Sequence, residues 1–600
     1  MNAEIIQGTN IYLRPISESD TDMVLGWRNS DRTVEYFYYR TPISKEDHIG
    51  WIRNKVDKGE VWQYIVCTND GDTPIGCVYL QHIEKDTLTG ETGVFFSEDA
   101  PAGKGLATEA VKLIGEKVGF EMLGLLHLNA KVMEKNLASR RVHEKAGYRI
   151  VRTVEGERCT DGEIVNSVYF VKDANKAVIP GSGLIKPHTG KITESEDGYL
   201  IKVPGSKSIT NRALLIAMLA KGTTVLNGVL FSDDTESFLS CMDSLGIETV
   251  VDRKNCTVTV TGCGGDIPNK EASLNVGSAG TAARFLTAVL GLVNTGIYHM
   301  DSSDQMKKRP MAPLLNSLID LGCEVEYEGE EGFFPFTLKP HGIKKNETIV
   351  DIDKSSQFLS ALMIASDFIK PDLKINVTGK HGMSYVEMTK KMLCDRGTDS
   401  TTQTVYNIEP DASAAAYFYA MSPLIGKSVT IAGLHEDSMQ GDTGFVKILE
   451  QIGWLTSEDT TGGIKVCPKG GSNAAPGTPV TIDMSSCSDQ AITLAAIAPF
   501  TGKTIRITGI SHIRVQESDR ISAIVTELKR LGVNCEEIGD DIIIRESMPK
   551  PAEVETYNDH RMAMGFSLIG IKTPGTVILN PSCCGKTFPD YFAYLYELLN

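Results

Sequence analysis

Apolar and polar residues alternate along this chain with two periods, and the changes of period divide it. In the first 172 residues, Gln63–Cys67 and Thr73–Leu80 alternate as strands around the turn Asn69-Asp70-Gly71-Asp72. Thr92–Ser97 reads as another strand, followed by a Gly-rich turn and a helix from about Thr108. Leu126–Val132 and Ala138–Ala146 add a further strand and helix. Residues 173–183 (DANKAVIPGSG) have turn composition and no period, which predicts a linker. Beyond it, helical stretches end in Leu245-Gly246, Leu321-Gly322, Ile452-Gly453 and Leu531-Gly532, each followed by strand-like alternation. A second phrase recurs, a strand opened by Gly, at 222–228, 426–433, 502–509 and 575–581. Both phrases predict repeated α/β units with Gly at the helix end or turn.

Six hundred residues exceed one hydrophobic core, so three to five domains are expected. The chain is 41% hydrophobic and 23% charged, ordinary for a globular protein, and no apolar run approaches the roughly 20 residues that span a bilayer. No basic-then-apolar start suggests a secretory signal, and thirteen scattered cysteines without a CxxC pair read as reduced thiols. A cytoplasmic protein without membrane contact is therefore expected. The net charge of −17 lacks the basic footprint that nucleic acid requires. It also repels small anions at long range, so any site for anions must concentrate its cations locally.

Short clusters in the large C-terminal region do this. Gly205-Ser206-Lys207-Ser208 precedes the apolar-periodic stretch Ala213–Leu219, with Arg212 within reach. A small-residue turn at a helix start offers free N–H groups to an anion. Gly277-Ser278-Ala279-Gly280-Thr281 precedes a helix bearing Arg284, and Lys308-Arg309-Pro310 sits before the helix around Leu314–Leu321. Ser355-Ser356-Gln357 opens the helix Phe358–Ala365, and Asp559-His560-Arg561 and Lys586-Thr587 follow near the C-terminus. Singly, each reads equally as a cap, a solvated face or an Arg–Asp pair. No His/Cys set has metal-ligand spacing, so no metal is expected.

Together and in this order, PGSKSITNR at 204–212, SDQ at 488–490, QESDR at 516–520, DHR at 559–561 and GKTFPDY at 585–591 resemble the EPSP synthases, the 3-phosphoshikimate 1-carboxyvinyltransferases, over nearly all of residues 184–600. The resemblance implies two lobes of repeated βαβαββ units that transfer the carboxyvinyl group of phosphoenolpyruvate to the 5-hydroxyl of shikimate 3-phosphate, in a cleft and without a cofactor. It implies that Lys207, Ser208, Arg212, Ser355, Ser356, Gln357, Tyr385 and Asp489 contact shikimate 3-phosphate. Lys207, Gly280, Arg309, Gln357, Arg520, Arg561 and Lys586 match the phosphoenolpyruvate site. Asp489 matches the base toward the hydroxyl, with Lys207 close by. Glu517 matches the acid toward C3, with a raised pKa expected on desolvation. Forked Arg and point-charge Lys suit two anions that must meet. SKS, SSQ and DHR follow this pattern rather than that of the UDP-N-acetylglucosamine enolpyruvyl transferases. Three positions depart from it: Gln516 stands where Lys is usual, Ser278 where Asn is usual, and Phe285 where Pro is usual. A shikimate-like acceptor in a specialised pathway is the alternative that Gln516 and Ser278 permit.

In the first region, Ala102-Gly103-Lys104-Gly105-Leu106-Ala107-Thr108-Glu109 follows a strand and opens a helix. With Leu13-Arg14-Pro15, Trp27-Arg28-Asn29, Asn136-Leu137-Ala138-Ser139 and Glu144-Lys145-Ala146-Gly147-Tyr148, it resembles the GCN5-related N-acetyltransferases (GNAT) over residues 8–172, although Ala102 stands where Arg or Gln is usual. The resemblance implies acetyl-CoA as co-substrate, held by Phe95, Phe96, Gly103, Lys104, Gly105, Ala107 and Asn136. His143 stands where many relatives carry a Tyr acid; it reads either as that acid or as a surface helix residue. A non-catalytic acetyl-CoA-binding module is the alternative.

The expected architecture is therefore α/β throughout: a GNAT domain at 1–172, the linker 173–183, one lobe of 207–408, and a second lobe of 184–206 with 409–600. Small-molecule substrates are the expected partners, and the EPSP-synthase-like part is expected to act as a monomer.

Overall fold

The computed structural model of the chain describes residues 4–181, 183–380, 382–395, 404–469 and 479–600. The chain divides into two units, Met1–Gly190 with Phe592–Asn600, and Lys191–Tyr591.

The first unit is built on an eight-stranded sheet. Its strands lie in the order Ile6–Gln7, Ile11–Pro15, Trp62–Thr68, Pro74–Glu84, Thr89–Phe96, His127–Met133, Ile164–Asp173 and Arg149–Arg158. The hairpin turn predicted at 69–72 forms, with Gly71 and Asp72 in the left-handed conformation that their residue types tolerate. One pair is parallel: Thr89–Phe96 and His127–Met133 pair only from Thr89↔His127 to Glu91↔Asn129, with no pairing beyond. The helices Leu106–Leu113 and Leu137–Lys145 follow the two strands of that pair. Within the segment predicted as a linker, Lys176–Ile179 is a strand; Ala177 and Ile179 alternate into buried positions, a period too short to register in the sequence. Ser182 of that segment lies outside the described residues.

The second unit repeats one pattern. Glu271–Asn275 and Ile297–Asp301 pair in parallel around the helix Gly280–Leu292; the helix Ala312–Leu321 then leads to the antiparallel strands Glu324–Tyr327 and Phe336–Lys339. Pro479–Asp483 and Thr504–Thr508, around the helix Ala491–Ile497, repeat this order, followed by the helix Arg520–Arg530 and the strands Cys535–Ile538 and Asp541–Ile544. Two further parallel pairs enclose the helices Gln357–Ile369 and His560–Lys572, whereas Lys207–Leu219 and Ala412–Ile425 each follow a strand of one sheet and lead into a strand of another. Gly246, Gly322, Gly453 and Gly532, the residues that mark the repeat in the sequence, all have positive φ at helix ends. The first helix of each unit is apolar nearly all round, and Gly280–Leu292 is buried along its whole length. Such helices lie inside the lobes, with their N-termini at one face.

Candidate functional site

Those N-termini meet at one cavity of about 140 Å³ in the second unit. Lys207 and Ser208 start one helix, Gly280 and Thr281 another, and Ser356 and Gln357 a third. Asp489 sits in the turn before Ala491–Ile497, and His560 and Arg561 open a fifth helix. Each start presents the positive end of a helix dipole, although side chains already take the N–H groups of Lys207, Gln357 and Arg561. The starts of the second helices add Arg309, Tyr385, Asp442 and Glu517.

Two acids lie at the centre, each held by two cations. Asp489 Oδ1 accepts from Arg520 Nη1 at 3.1 Å and Oδ2 from Arg561 Nη2 at 2.9 Å. Glu517 Oε2 accepts from Arg520 Nη2 and Oε1 from Lys586 Nζ, both at 2.9 Å. Burial pushes both carboxyls up, but the cations outweigh it. Arg561 and Arg520 hold Asp489 below the ordinary aspartate value, and Lys586, Arg520 and Arg309 hold Glu517 well below the glutamate value. The raised pKa expected for Glu517 is thus corrected: desolvation acts as anticipated, and three neighbouring positive charges reverse its outcome.

The cations differ in how fully the protein neutralises them. Lys207 Nζ lies 3.4 Å from Asp234 Oδ2, and its backbone N–H donates to Asp411 Oδ2 at 2.9 Å. Arg212 is 1% exposed, and neutral oxygens surround it: Nε donates to Thr389 Oγ1 at 2.8 Å and Nη1 to the Ser208 carbonyl at 2.9 Å. Burial without a counter-ion brings its pKa down to about 10. Arg284 donates to the Gly280 carbonyl and to Gln357 Oε1, while its Nε is buried without a hydrogen-bond partner among the described residues. Arg561 Nη1 and both ring nitrogens of His560 share that condition. Burial, then Lys207 and Arg561, hold His560 well below the ordinary histidine value, so it is neutral. Arg309 has no acid partner among the described residues; its Nη1 meets the Met306 sulfur at 3.9 Å. A cavity with this surplus of donors is built for anions.

The remaining residues named from the sequence fall at or just behind the wall. Ser355, Ser356, Gln357 and Tyr385 line it, and the Tyr385 hydroxyl donates to Asp489 Oδ2 at 3.4 Å. Gly280 lies behind Arg284 and Arg309: a Cβ there would come within 2.7 Å and 2.9 Å of their Nη1 atoms. Lys586 is reached through Glu517. Gln516 Oε1 accepts closely from Arg520 Nη1, so the position that departs from the pattern offers an acceptor where a cation is usual. Phe285 is buried, with its ring centroid 5.4 Å from the Arg212 guanidinium carbon. Sequence reasoning missed Lys354, which lines the wall, and Asp442, which accepts from Ser413 Oγ and from Gln490 Nε2. Burial pushes the Asp442 carboxyl up.

In the first unit, Gly103 and Gly105 both have positive φ, and Gly105 directly precedes the helix Leu106–Leu113. Lys104 is exposed and Ala107 lies in the first turn. Asn136 caps the helix Leu137–Lys145 through its Oδ1, which accepts from the Ser139 N–H at 3.0 Å. Phe95 and Phe96 lie on Thr89–Phe96 beyond its last pairing with His127–Met133. His143 is not a surface residue. It is 2% exposed, its Nδ1–H donates to the Ser139 carbonyl at 2.9 Å, and its ring packs against Tyr148 and Phe170. Its Nε2 is buried without a hydrogen-bond partner among the described residues.

A family model described as EPSP synthase (3-phosphoshikimate 1-carboxyvinyltransferase) matches residues 197–595, and one described as an acetyltransferase (GNAT) domain matches residues 10–149. The chain is 42% identical over 418 residues to the 3-phosphoshikimate 1-carboxyvinyltransferase of Trichormus variabilis, covering 66% of this chain and 96% of that one. It is 34% identical over 447 residues to that of Opitutus terrae, covering 70% and 97%. A solved EPSP synthase from Acinetobacter baumannii shares the fold with a TM-score of 0.53 at 24% identity, over 65% of this chain and 93% of that one. Membership thus rests on the order of the motifs, on the repeated crossovers and on these matches: the chain belongs to the EPSP synthase family, and it carries a GNAT acetyltransferase domain ahead of the synthase region.

Proposed function

We propose that the second unit performs its family's carboxyvinyl transfer with Asp489 and Glu517 as the proton-handling pair. The observation that carries this is the pairing itself: two buried carboxylates share Arg520, and each has a second cation of its own. Shikimate 3-phosphate takes the side bearing Ser208, Arg212, Ser355, Ser356 and Tyr385. Phosphoenolpyruvate takes the side bearing Arg309, Arg520, Arg561 and Lys586, with Lys207 and Gln357 between the two. The 5-hydroxyl attacks C2 and gives its proton to Asp489 while Glu517 protonates C3. The C2–O(phosphate) bond of the tetrahedral intermediate then breaks, C3 returns its proton to Glu517, and the leaving phosphate takes the proton held by Asp489. Protons balance without a metal or cofactor. Arg and Lys groups already oriented toward the developing charge supply the electrostatic part. Phosphate release from phosphoenolpyruvate that depends on shikimate 3-phosphate tests the assignment; release without that dependence would refute it.

The GNAT domain implies acetyl-CoA use. In our reading, the pyrophosphate lies on the N–H groups of the 103–107 turn. The thioester carbonyl lies at Phe95 and Phe96, where the two parallel strands stop pairing. Acetyl transfer to a panel of amines, scored by free thiol, tests this. Among the described residues no helix is long and apolar enough to cross a membrane, and all thirteen cysteines are free. Both observations support our placing the enzyme in the cytoplasm; that its synthase part acts as a monomer is our reading from the family resemblance alone.

A further inference from the structure

Glu517 has to carry a proton to C3, yet here it is a doubly paired anion. Its oxygens accept from Lys586 Nζ and Arg520 Nη2 at 2.9 Å each, with the side chain 11% exposed. A carboxylate held in this way stays ionised near neutral pH. The cations that hold it are those the reading above gives to phosphoenolpyruvate.

We propose that phosphoenolpyruvate itself loads Glu517: the incoming carboxylate and phosphate take Lys586, Arg520 and Arg309 for themselves, and the stranded Glu517 takes up one proton from solvent, which it then passes to C3. Lys586 and Arg520 thereby serve twice, first keeping Glu517 unprotonated in the free enzyme and then binding the substrate. The inference rests on the functional reading above and deepens it.

The surroundings of Glu517 favour the exchange. From the C-terminal segment it faces Lys586, and from the start of the helix that follows it Arg520, which Asp489 and Asp559 also hold. The helix His560–Lys572 presents neutral His560, with Arg561 turned to Asp489. From the other lobe come Arg309 and Arg284, which have no acid partner among the described residues. The ammonium of Lys207 is committed to Asp234. No acid other than Glu517 pairs with Lys586 among the described residues, so a ligand anion that takes Lys586 removes half of the ion pairing at once. The Glu517 backbone is fixed meanwhile, because its carbonyl accepts from Gln305 Nε2 at 3.1 Å. Gln516 adds an acceptor to Arg520 rather than another cation, so no further charge opposes protonation. A buried carboxyl that loses its counter-ions beside a new anion gains proton affinity from both changes.

The experiment titrates phosphoenolpyruvate into the enzyme saturated with 5-deoxyshikimate 3-phosphate, which lacks the attacking hydroxyl, by calorimetry at pH 8 in buffers of different ionisation enthalpy. We expect uptake of about one proton per ligand in the wild type, almost none in Glu517→Gln, and unchanged uptake in His560→Asn. As a check that needs no variant, the Kd of the wild type for phosphoenolpyruvate weakens about tenfold per pH unit between pH 7.5 and 9. Equal uptake in wild type and Glu517→Gln, uptake lost only in His560→Asn, or a flat Kd across that range would each overturn the proposal. The phosphate-release assay separates the two levels: if it succeeds and proton uptake is absent, the loading fails and the functional reading stands.

Discussion

Asp559 grips Arg520 with both oxygens: Nε donates to Oδ2 at 2.7 Å and Nη2 to Oδ1 at 3.2 Å, with both side chains buried. The same guanidinium reaches Asp489 and Glu517. One cation thus spans three carboxylates, and Asp559 fixes the plane from which it serves the other two.

Asp559→Ala is therefore expected to cost about 3 kcal/mol, the range for breaking a buried pair. It reads as a lower urea midpoint at unchanged slope. Asp559→Asn keeps the acceptor geometry on one side and costs less. Turnover in both falls at least about tenfold, because a tilted Arg520 misplaces both acids.

Lys207→Ala and Glu517→Ala each lower turnover by at least about 100-fold, the range for a lost acid–base group or charge stabiliser. Phosphate release measures both. Near-normal turnover in either variant removes that residue from the mechanism.

Much of this site was legible because its chemistry sits at helix starts that short motifs mark. Lys207, Gln357, Asp489 and Arg561 all lie in phrases where small or polar residues precede an apolar run. Gly246, Gly322, Gly453 and Gly532, each at a positive φ where a helix ends, made the repeat visible too. Asp442 was not found: it lies in a turn before the helix Phe445–Gln451, and the nearest cation in sequence, Lys447, pairs with Glu436 and Glu450 instead of entering the cavity. The repeat holds the signal that was missed, since Arg309, Tyr385 and Glu517 occupy the same place before or at the start of their units' second helices. Two kinds of fact lay beyond sequence patterns. The sign of the Glu517 shift depends on Lys586 and Arg309 from two distant segments as well as on nearby Arg520, and the burial of His143 depends on which face of a mostly polar helix turns inward.

Gly280→Ala is expected to raise the KM for phosphoenolpyruvate about tenfold and to leave that for shikimate 3-phosphate within about twofold. The new methyl would meet Arg284 Nη1 and Arg309 Nη1 at 2.7 Å and 2.9 Å. Both are ends of flexible side chains, so the fold absorbs the methyl while the anion site opens, at a cost of about 1 kcal/mol or less in stability. Equal rises in both KM values would show a distortion wider than the two arginines.

His143 makes folding depend on pH. Burial lowers its folded pKa, so between that value and its unfolded value near 6.5 the unfolded chain binds the extra proton. Its contribution is present above about pH 6.5 and is lost as pH falls, by up to about 1.4 kcal/mol per unit. His143→Gln should reduce the loss of stability from pH 7 to pH 5 relative to the wild type, and leave the pH profile of acetyl transfer unchanged. A profile altered by the substitution would place His143 in the chemistry.

Gln516→Lys restores the residue usual in the family and tests what its absence does. Gln516 Oε1 accepts from Arg520 Nη1, and an ammonium cannot, so the new side chain has to turn away from Arg520 toward the acids or the substrates. Arg520 keeps Asp559, Glu517 and Asp489, so the lost acceptor costs only about 1 kcal/mol of stability. An added positive charge in the cavity attracts both substrates; one charge–charge contact of about 1.4 kcal/mol, well within Coulomb's range at partial burial, lowers KM about tenfold. The same charge also stabilises Glu517 as the anion and so opposes its loading. Turnover should therefore fall along with KM, leaving kcat/KM within about threefold of the wild type. A lower KM with undiminished turnover would mean that Glu517 does not feel residue 516. An unchanged KM would mean that this side chain points away from both substrates and that the departure from the family's pattern carries no catalytic consequence.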